Sequence, residues 1–140
     1  MAQGFRFPYS ALAGDPSTLM PRLPLTLMLE ARSVDVIGLV DSGASVNVLP
    51  YSIGLELGAV WDEQTISVPL VGSLGRMEAR VLIVQATHPQ LTPDVPVELV
   101  FAWSQDAHAP VLFGQTNFLM AFRVCFDAQQ ATFEVYPKDY

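Results

Sequence analysis

The sequence predicts an all-β domain with one or two short helices. Its apolar and alternating runs are short, and they are separated by glycine and proline, which number 9 and 11 among the 140 residues. Short runs bounded by such residues are typical of strands rather than of long helices. The length suits a single hydrophobic core, and no internal repeat divides the chain. We therefore expect one strand-rich domain.

The N-terminal segment is crowded with proline. Pro8, Pro16, Pro21 and Pro24 all fall within the first 24 residues, and proline breaks helices because it lacks a backbone N–H. We expect residues 1–22 to form an extended arm with a short edge strand at Phe5 to Phe7. The main domain is then predicted to span residues 23–140.

The first part of that domain is predicted to be a hairpin followed by a strand and a helix. Leu25 to Leu29 and Val34 to Val40 are apolar runs on either side of the polar turn Glu30 to Ser33. A further apolar run, Val46 to Leu49, predicts another strand. Tyr51 to Leu57 is predicted to be helical, because a proline precedes it and a glycine follows it.

A second hairpin and a long strand are predicted in the middle of the chain. The β-rich runs Thr65 to Leu70 and Met77 to Gln85 are joined by Val71 to Gly75, whose two glycines suit a hairpin tip. Val97 to Trp103 is predicted to be a strand between two surface loops, His88 to Pro96 and Ser104 to Pro110.

The last third of the chain is predicted to hold a very short strand, a helical turn and a closing hairpin. Val111 to Gly114 is the short strand, and Thr116 to Ala121 is long enough for one or two helical turns. Arg123 to Phe126 and Thr132 to Tyr136 then alternate around a polar turn and predict the hairpin.

Composition limits the partners that the protein is expected to bind. Fourteen acidic and 7 basic residues give a net charge of -7, which opposes binding to nucleic acid or to anionic lipid. Hydrophobic residues make up 51% of the chain, and the mean hydropathy is +0.34. These values are high for a small soluble monomer, so we expect a partner to cover apolar surface, most simply a second copy of the chain.

The single cysteine and the absence of a signal sequence both indicate the cytoplasm. Cys125 has no second cysteine to pair with, and its neighbours Val124 and Phe126 predict that it is buried in a strand. The opening residues contain no unbroken apolar run of the kind found in signal peptides. No stretch has the composition of a membrane span.

A short polar motif at the end of a predicted strand carries the chemistry. The apolar residues Gly38 to Val40 lead directly into Asp41-Ser42-Gly43-Ala44-Ser45, where an acidic residue enters a turn made only of small residues. Taken alone, the motif is explained by an Asx-turn, in which Asp41 binds its own backbone and Ser42 and Gly43 are ordinary turn residues.

The wider pattern resembles the retropepsin-like branch of the aspartic proteases, in particular its single-domain, stand-alone cellular or bacterial members. An apolar pair followed by Asp-Ser-Gly-Ala is similar to that family's active-site signature. Leu112-Phe113-Gly114 resembles its second marker, two apolar residues and a glycine before a short helix. Gly72-Ser73-Leu74-Gly75 falls where the family has its flap. The resemblance extends from Pro24 to Pro137.

This resemblance implies a retropepsin-like closed β-barrel that works as a two-fold dimer and needs no cofactor. The chain holds one Asp-Ser/Thr-Gly signature, so two chains must each contribute Asp41 to one peptide-hydrolysing site. In the family, Ser42 and Gly43 would support the active-site loop, and Ala44 and Ser45 would line the substrate groove. Gln115 departs from the family, where an Arg, Asn or Asp often follows the glycine, so an ion pair at that position is absent.

Rival interpretations of the remaining conspicuous residues carry less weight. His88 and His108 are expected to be solvated loop residues, since neither has partners at metal-ligand spacing. Ser45 lacks the second glycine of a nucleophile elbow. Trp61 and Trp103 are expected in the core or in an interface. The alternative to an enzyme is a non-catalytic peptide-binding or dimerisation module on the same fold.

Overall fold

The computed structural model of the protein describes residues 3–72 and 75–137, and of residues 71, 72 and 75–77 it describes the backbone alone. The first six strands are β1 (Phe5–Pro8), β2 (Ser10–Leu12), β3 (Asp15–Met20), β4 (Arg22–Leu29), β5 (Arg32–Val40) and β6 (Asn47–Leu49). The remaining strands are β7 (Ser67–Gly72), β8 (Gly75–Thr87), β9 (Val97–Ser104), β10 (Leu112–Phe113), β11 (Phe122–Asp127) and β12 (Thr132–Pro137). The helices are α1 (Tyr51–Glu56) and α2 (Phe118–Ala121), with a 3-10 turn at Trp61–Glu63.

A closed β-barrel forms the body of the protein. Its strands follow the order β4-β5-β10-β6-β9-β8-β7, and the additional pairing of β4 with β8 closes the ring. Most neighbouring strands are antiparallel, but β10 runs parallel to β5, and β6 runs parallel to β9. The predicted all-β class is confirmed, as are the hairpins β4–β5 and β7–β8 and the helix that begins after Pro50.

A smaller antiparallel sheet of order β1-β12-β11 packs against the barrel. The strand predicted at Phe5 to Phe7 is present as β1 and pairs with β12. The rest of the predicted arm folds into the hairpin β2–β3, which the sequence analysis did not predict. Pro16 lies within β3, and a strand with a single neighbour tolerates proline because half of its backbone groups need no partner.

Aromatic side chains dominate the core. Phe101, Trp103, Phe113, Phe118 and Phe133 are among the largest fully buried side chains. The Trp103 ring stacks on Tyr51 at 5.5 Å and meets the half-buried Trp61 edge-on at 5.3 Å. Trp103 belongs to the core, and Trp61 packs against it. Large rings remove much apolar area from water and hold the barrel to its helices.

Cys125 is exposed, so the prediction that it is buried is wrong. Side chains alternate between the two faces of a strand. Apolar neighbours at Val124 and Phe126 therefore place Cys125 on the opposite face, together with the exposed Arg123 and Asp127. Two apolar neighbours are a sign of burial only in a strand that is covered on both faces.

His88 differs from expectation as well, because it is half-buried rather than solvated. Its ring lies edge-on to Phe7 with the centroids 5.4 Å apart. Its Nδ1 accepts hydrogen bonds from the backbone N–H groups of Gln90 at 3.1 Å and Leu91 at 3.4 Å. Burial lowers the pKa of His88 from its ordinary value of 6.5. His108 is exposed, as predicted.

No helix within residues 3–72 and 75–137 has the length and hydrophobicity needed to cross a membrane.

We predict that His88 makes the fold less stable in acid. Because its pKa is lower in the folded chain, the unfolded chain binds the proton more readily, and stability falls as pH drops from 6.5 through the folded value. The substitution His88→Asn keeps an acceptor but does not titrate. The free energy of unfolding in urea is measured from about pH 8 to about pH 5, the range in which a histidine titrates. The variant should lose part of the wild-type pH dependence, whereas His108→Asn should retain it; identical curves for all three proteins contradict the prediction.

Candidate active site

The candidate site is the loop that joins β5 to β6. Residues 41–46 follow the last residue of β5, and β10 lies between the two strands that this loop connects. Leu112 of β10 is opposite Leu39 on one side and opposite Val48 on the other. The loop must therefore pass over the end of β10, and this topology brings residues some 70 positions apart in sequence into contact, as in the hydrogen bond between residues 115 and 42.

Hydrogen bonds to its backbone and to its carboxylate fix the position of Asp41. Its N–H donates to the carbonyl of Phe113 at 3.0 Å, and its carbonyl accepts from the N–H of Ala44 at 3.1 Å. Its Oδ1 accepts from the N–H of Gly43 at 2.9 Å. Asp41 and Ala44 are half-buried, while Ser42, Gly43 and Ser45 are exposed. The carboxylate is thus oriented by a turn of small residues and remains accessible at the surface of the chain.

Gly114 lets the loop sit directly on β10. A Cβ atom at this position would lie 2.5 Å from the carbonyl oxygen of Val46 and 2.7 Å from that of Ala44. Both contacts are with backbone, which has no freedom to move aside. The glycine of the Leu112-Phe113-Gly114 marker is therefore required by the close approach of two backbone segments.

Hydrogen bonds from the residues after Gly114 fasten the loop. The backbone N–H groups of Gln115 and Thr116 donate to the carbonyls of Ala44 and Ser45, each at 2.9 Å. The side-chain Nε2 of Gln115 donates to the carbonyl of Ser42 at 2.7 Å. The sequence predicted that no ion pair forms at this position. The neutral hydrogen bond of Gln115 braces the loop instead.

Asn47 supports the loop from beneath, and the sequence analysis did not identify it. Its side chain is fully buried. Its Oδ1 accepts from the N–H of Gly114 at 2.8 Å, and its Nδ2 donates to the carbonyl of Val100 at 3.0 Å and to Oδ1 of Asn117 at 2.9 Å. The available signal was a polar residue inside the apolar run Val46 to Leu49, since a buried amide needs partners on all sides.

The half-buried Asn117 is the second member of this hydrogen-bond network. Its Oδ1 also accepts from the N–H of Val100 at 3.0 Å, and its Nδ2 donates to the carbonyl of Glu98 at 3.1 Å. Its backbone has φ 80°, a conformation rare for a residue other than glycine. The hydrogen bonds of its side chain to β9 and to Asn47 hold it there. The two amides connect β6, β9 and the segment that follows β10.

The predicted flap lies on the hairpin β7–β8. Gly72 is opposite Gly75 at the end of the ladder. Ser73 and Leu74 lie outside the described residues. Assignment of this tip as a flap over the substrate stays a prediction.

Metal-binding side chains do not gather at the loop. Within the described part of the chain, no three His, Cys, Asp or Glu side chains come together in a group that would hold a metal ion. The reactive group that the described residues supply here is the Asp41 carboxylate.

Comparison with known proteins gives a structural likeness but no match in sequence. No protein-family model matches the chain, and no curated protein does so. The structure is similar to the crystal structure of a retropepsin-like aspartic protease from Rickettsia conorii, with a TM-score of 0.65. The superposition covers 96% of this chain and 99% of the other at 12% identity. The chain has a retropepsin-like fold.

At this level of identity the likeness establishes the fold alone. The retropepsin-like fold explains why the loop that bears Asp41 meets Gly114, since the contact follows from the position of β10 between β5 and β6. The roles of Asp41, Ser42, Gly43, Ala44 and Ser45 do not follow from the fold by itself.

We predict that Asn47→Leu strongly destabilises the fold. Leucine has a similar size but makes none of the three hydrogen bonds, so the buried N–H of Gly114 and the partly buried groups of Val100 and Asn117 each lose a partner. The free energy of unfolding should fall by about 2–5 kcal/mol, because each unsatisfied buried group costs about 1–3 kcal/mol. Urea denaturation followed by circular dichroism measures it.

Gln115→Leu is the matched control. It also replaces an amide by leucine, but the Gln115 side chain is exposed and makes one hydrogen bond. Its loss should stay below about 1 kcal/mol. If both variants lose the same free energy of unfolding, the hydrogen bonds of Asn47 contribute no more to stability than the exposed hydrogen bond of Gln115.

Proposed function

We propose that the protein is an aspartic endopeptidase that is active as a homodimer. One observation carries the proposal: in a retropepsin-like fold, an Asp-Ser-Gly loop is braced on β10 with its carboxylate oriented by the N–H of Gly43. An Asx-turn explains this local hydrogen bond equally well. It does not account for the position of the turn on β10, which is the position that the resemblance to the aspartic proteases implies for their catalytic loop.

Two chains are needed for one site. Hydrolysis by this mechanism uses two carboxylates, and the sequence holds a single Asp-Ser-Gly motif. None of the other aspartates is followed by Ser-Gly or Thr-Gly: Asp15, Asp35, Asp62, Asp94, Asp106, Asp127 and Asp139. The proposed two-fold axis therefore passes between the Asp41 residues of the two protomers.

In the proposed reaction, the paired carboxylates share one proton. Two carboxylates about 3 Å apart do not both ionise readily, because like charges repel. The ionised Asp41 takes a proton from a water molecule, whose oxygen then attacks the peptide carbonyl. The protonated Asp41 of the other protomer donates a hydrogen bond to that carbonyl and polarises it. The tetrahedral intermediate collapses as the C–N bond breaks and an Asp41 carboxyl gives a proton to the leaving nitrogen, which yields a carboxylic acid and an amine and leaves one proton shared by the pair.

The neighbouring residues receive supporting roles in this proposal. Gly43 orients the carboxylate through its N–H, and Ser42 is proposed to hydrogen-bond across the two-fold axis. Ala44 and Ser45 are proposed to line the substrate groove next to it. The hairpin tip, Gly72, Ser73, Leu74 and Gly75, is proposed to close over the bound peptide.

Substitution of Asp41 tests the proposal directly. Asp41→Asn keeps the acceptor for the N–H of Gly43 but neither shares nor transfers the catalytic proton, so cleavage of a mixed peptide library should fall by about 100-fold or more. The circular dichroism spectrum should not change. Specific activity of the wild type should rise with protein concentration until the dimer is saturated.

Asp35→Asn is the matched control, since Asp35 is an exposed aspartate on β5, the same strand that leads to Asp41. It should retain full activity. Equal cleavage by wild type and Asp41→Asn would overturn the proposal. Peptide binding that is unchanged in Asp41→Ala, with no cleavage under any condition, would instead support the non-catalytic binding module.

The proposed mechanism also predicts loss of activity on the alkaline side. Cleavage requires one protonated and one ionised carboxylate, and raising the pH removes the general acid while the fold stays intact. The value of kcat/KM should therefore be higher in mild acid than at neutral pH and should decrease tenfold per pH unit along the alkaline limb, on the order expected for one proton. A flat profile up to pH 8, well beyond the usual range of carboxyl groups, would contradict a shared proton.

A further inference from the structure

The backbone makes a strained three-residue turn at Asn117. Its angles are φ 80° and ψ -64°, and the N–H of Phe118 donates to the carbonyl of Thr116 at 3.2 Å. These angles and this hydrogen bond describe the γ-turn with positive φ, which is rare and strained in proteins. A backbone strained in this way persists only where the surrounding structure holds it, and such strain is frequent at functional sites.

The other residues with positive φ, glycine aside, occupy hairpin turns in the part of the chain that the structure describes. They are Ala13, Glu30 and Ala131, with φ of 48°, 53° and 53°, and they join β2 to β3, β4 to β5 and β11 to β12. Positive φ is a normal part of a hairpin turn. Asn117 lies between the short strand β10 and helix α2. Hairpin geometry therefore does not account for its conformation.

Three hydrogen bonds of the Asn117 side chain hold the turn. Its Oδ1 accepts from the N–H of Val100 at 3.0 Å and from Nδ2 of Asn47 at 2.9 Å, and its Nδ2 donates to the carbonyl of Glu98 at 3.1 Å. Glycine adopts positive φ without strain, but it makes none of these hydrogen bonds. An asparagine at this position indicates that the contacts with β6 and β9 matter more than a relaxed backbone.

The residues just before the turn contact the Asp41 loop, residues 41–46. The backbone N–H of Thr116, the first residue of the turn, donates to the carbonyl of Ser45 at 2.9 Å, and the N–H of Gln115 donates to the carbonyl of Ala44 at 2.9 Å. Because the turn fixes the direction of the chain at Thr116, it aims both N–H groups at the loop. The far end of the loop is therefore held by the backbone of the turn.

A second connection runs through Asn47 to the near end of the loop. The Nδ2 of Asn47 donates to Asn117, and its Oδ1 accepts from the N–H of Gly114 at 2.8 Å. The residue before Gly114 is Phe113, whose carbonyl accepts from the N–H of Asp41 at 3.0 Å. Asn117 is thus linked to both ends of the Asp41 loop.

We propose that Asn117 is a positioning residue, whose γ-turn holds the Asp41 loop in the place that the paired carboxylates require. The effect on catalysis rests on the proposed function. Two carboxylates must approach to about 3 Å to share a proton, and a reacting group displaced by about 1 Å costs about 100-fold in rate. Asn117 acts on the reaction through the position of Asp41 and not through contact with the peptide.

Asn117→Gly separates the turn from its hydrogen bonds, because glycine keeps the backbone conformation and removes the side chain. In the folded dimer, kcat for peptide cleavage should fall by about 10- to 100-fold, while KM should stay within about twofold. Urea unfolding followed by circular dichroism gives the folded fraction of each variant.

Glu30→Gly is the matched control for this substitution. It also places glycine at a position of positive φ, in an exposed turn. Glu30 lies before β5 and Asp41 lies after it, so the control changes the opposite end of that strand. Both kcat and KM should keep their wild-type values.

The pH profile distinguishes a displaced loop from a loss of folded enzyme. Repulsion between two close carboxylates makes the shared proton harder to remove. In the described residues, no other ionisable side chain forms a hydrogen bond or ion pair with the Asp41 carboxylate. Carboxylates that lie farther apart repel less, so the alkaline limb of kcat/KM should move to lower pH in Asn117→Gly, by about half a pH unit or more. Loss of folded enzyme lowers the rate without moving the limb.

Hydrogen exchange measures the hold on the loop without any substrate. The amide protons of Asp41 and Thr116 are bonded between the loop and the segment from Phe113 to Thr116. In Asn117→Gly both should exchange roughly tenfold faster than in the wild type, because these hydrogen bonds open more often. In Glu30→Gly they should exchange at wild-type rates. NMR spectra of the labelled full chain give the exchange rates.

Asn117→Asp is a milder variant that carries the same tests if Asn117→Gly does not fold. A carboxylate keeps the two hydrogen bonds accepted by Oδ1 and loses the one donated to Glu98. Its kcat, its alkaline limb and its exchange rates should lie between those of the wild type and the values expected for Asn117→Gly.

The outcomes separate this inference from the proposed function. Faster exchange at Asp41, a lower kcat and a shifted alkaline limb together support it. Wild-type exchange rates in the folded variants overturn it, even if cleavage depends on Asp41, and so do wild-type values of kcat and of the alkaline limb. If the wild type cleaves no peptide, the proposed function fails, and the exchange rates alone decide whether Asn117 holds the loop.

Discussion

The insertion of β10 between β5 and β6 is the constraint on which the rest of the structure depends. A two-residue strand has too few backbone hydrogen bonds to hold this place by itself. The buried amide of Asn47 supplies the remainder, since it joins Gly114 at the end of β10 to β9 and to Asn117. With β10 fixed, the loop that bears Asp41 must cross its end, where Gly114 leaves room for two backbone segments to touch. The geometry of the candidate site is thus set by polar groups that do not take part in the proposed chemistry.

Two kinds of interaction connect β10 to its surroundings, hydrogen bonds to the Asp41 loop and ring contacts to the small sheet. Hydrogen bonds from Gln115 and Thr116 hold the exposed turn, where water competes and each bond adds little by itself. Packed aromatic rings, from Phe113 through Phe118 to Phe122, connect β10 to the sheet of order β1-β12-β11. The first set keeps a carboxylate in one orientation at the surface. The second links the candidate loop to the sheet of order β1-β12-β11 through buried side chains.

Much of the fold follows from local sequence patterns. The hairpin β4–β5 was predictable because two apolar runs flank a polar turn, and α1 because Pro50 and Gly58 mark its ends. The motif at Asp41 and the marker at Gly114 were also visible in the sequence. The partners of Asn47 and Asn117 were not, because neither a polar residue inside an apolar run nor an asparagine before a helix shows which distant residues it will bond. The burial of Cys125 and His88 was misassigned for a related reason. It depends on which side of each residue is covered by side chains from distant parts of the chain.

The sequence by itself determined the strand-rich class, most element positions and the residue type that could carry the chemistry. These depend on periodicity, turn residues and short motifs, all of which act over a few residues. Only the tertiary structure decided that β10 enters between β5 and β6, and that the buried amide of Asn47 and the half-buried amide of Asn117 lock it there. Each of these depends on contacts between residues distant in sequence. The free energy of such contacts comes from burial and from hydrogen bonds that exist only after the chain has closed on itself.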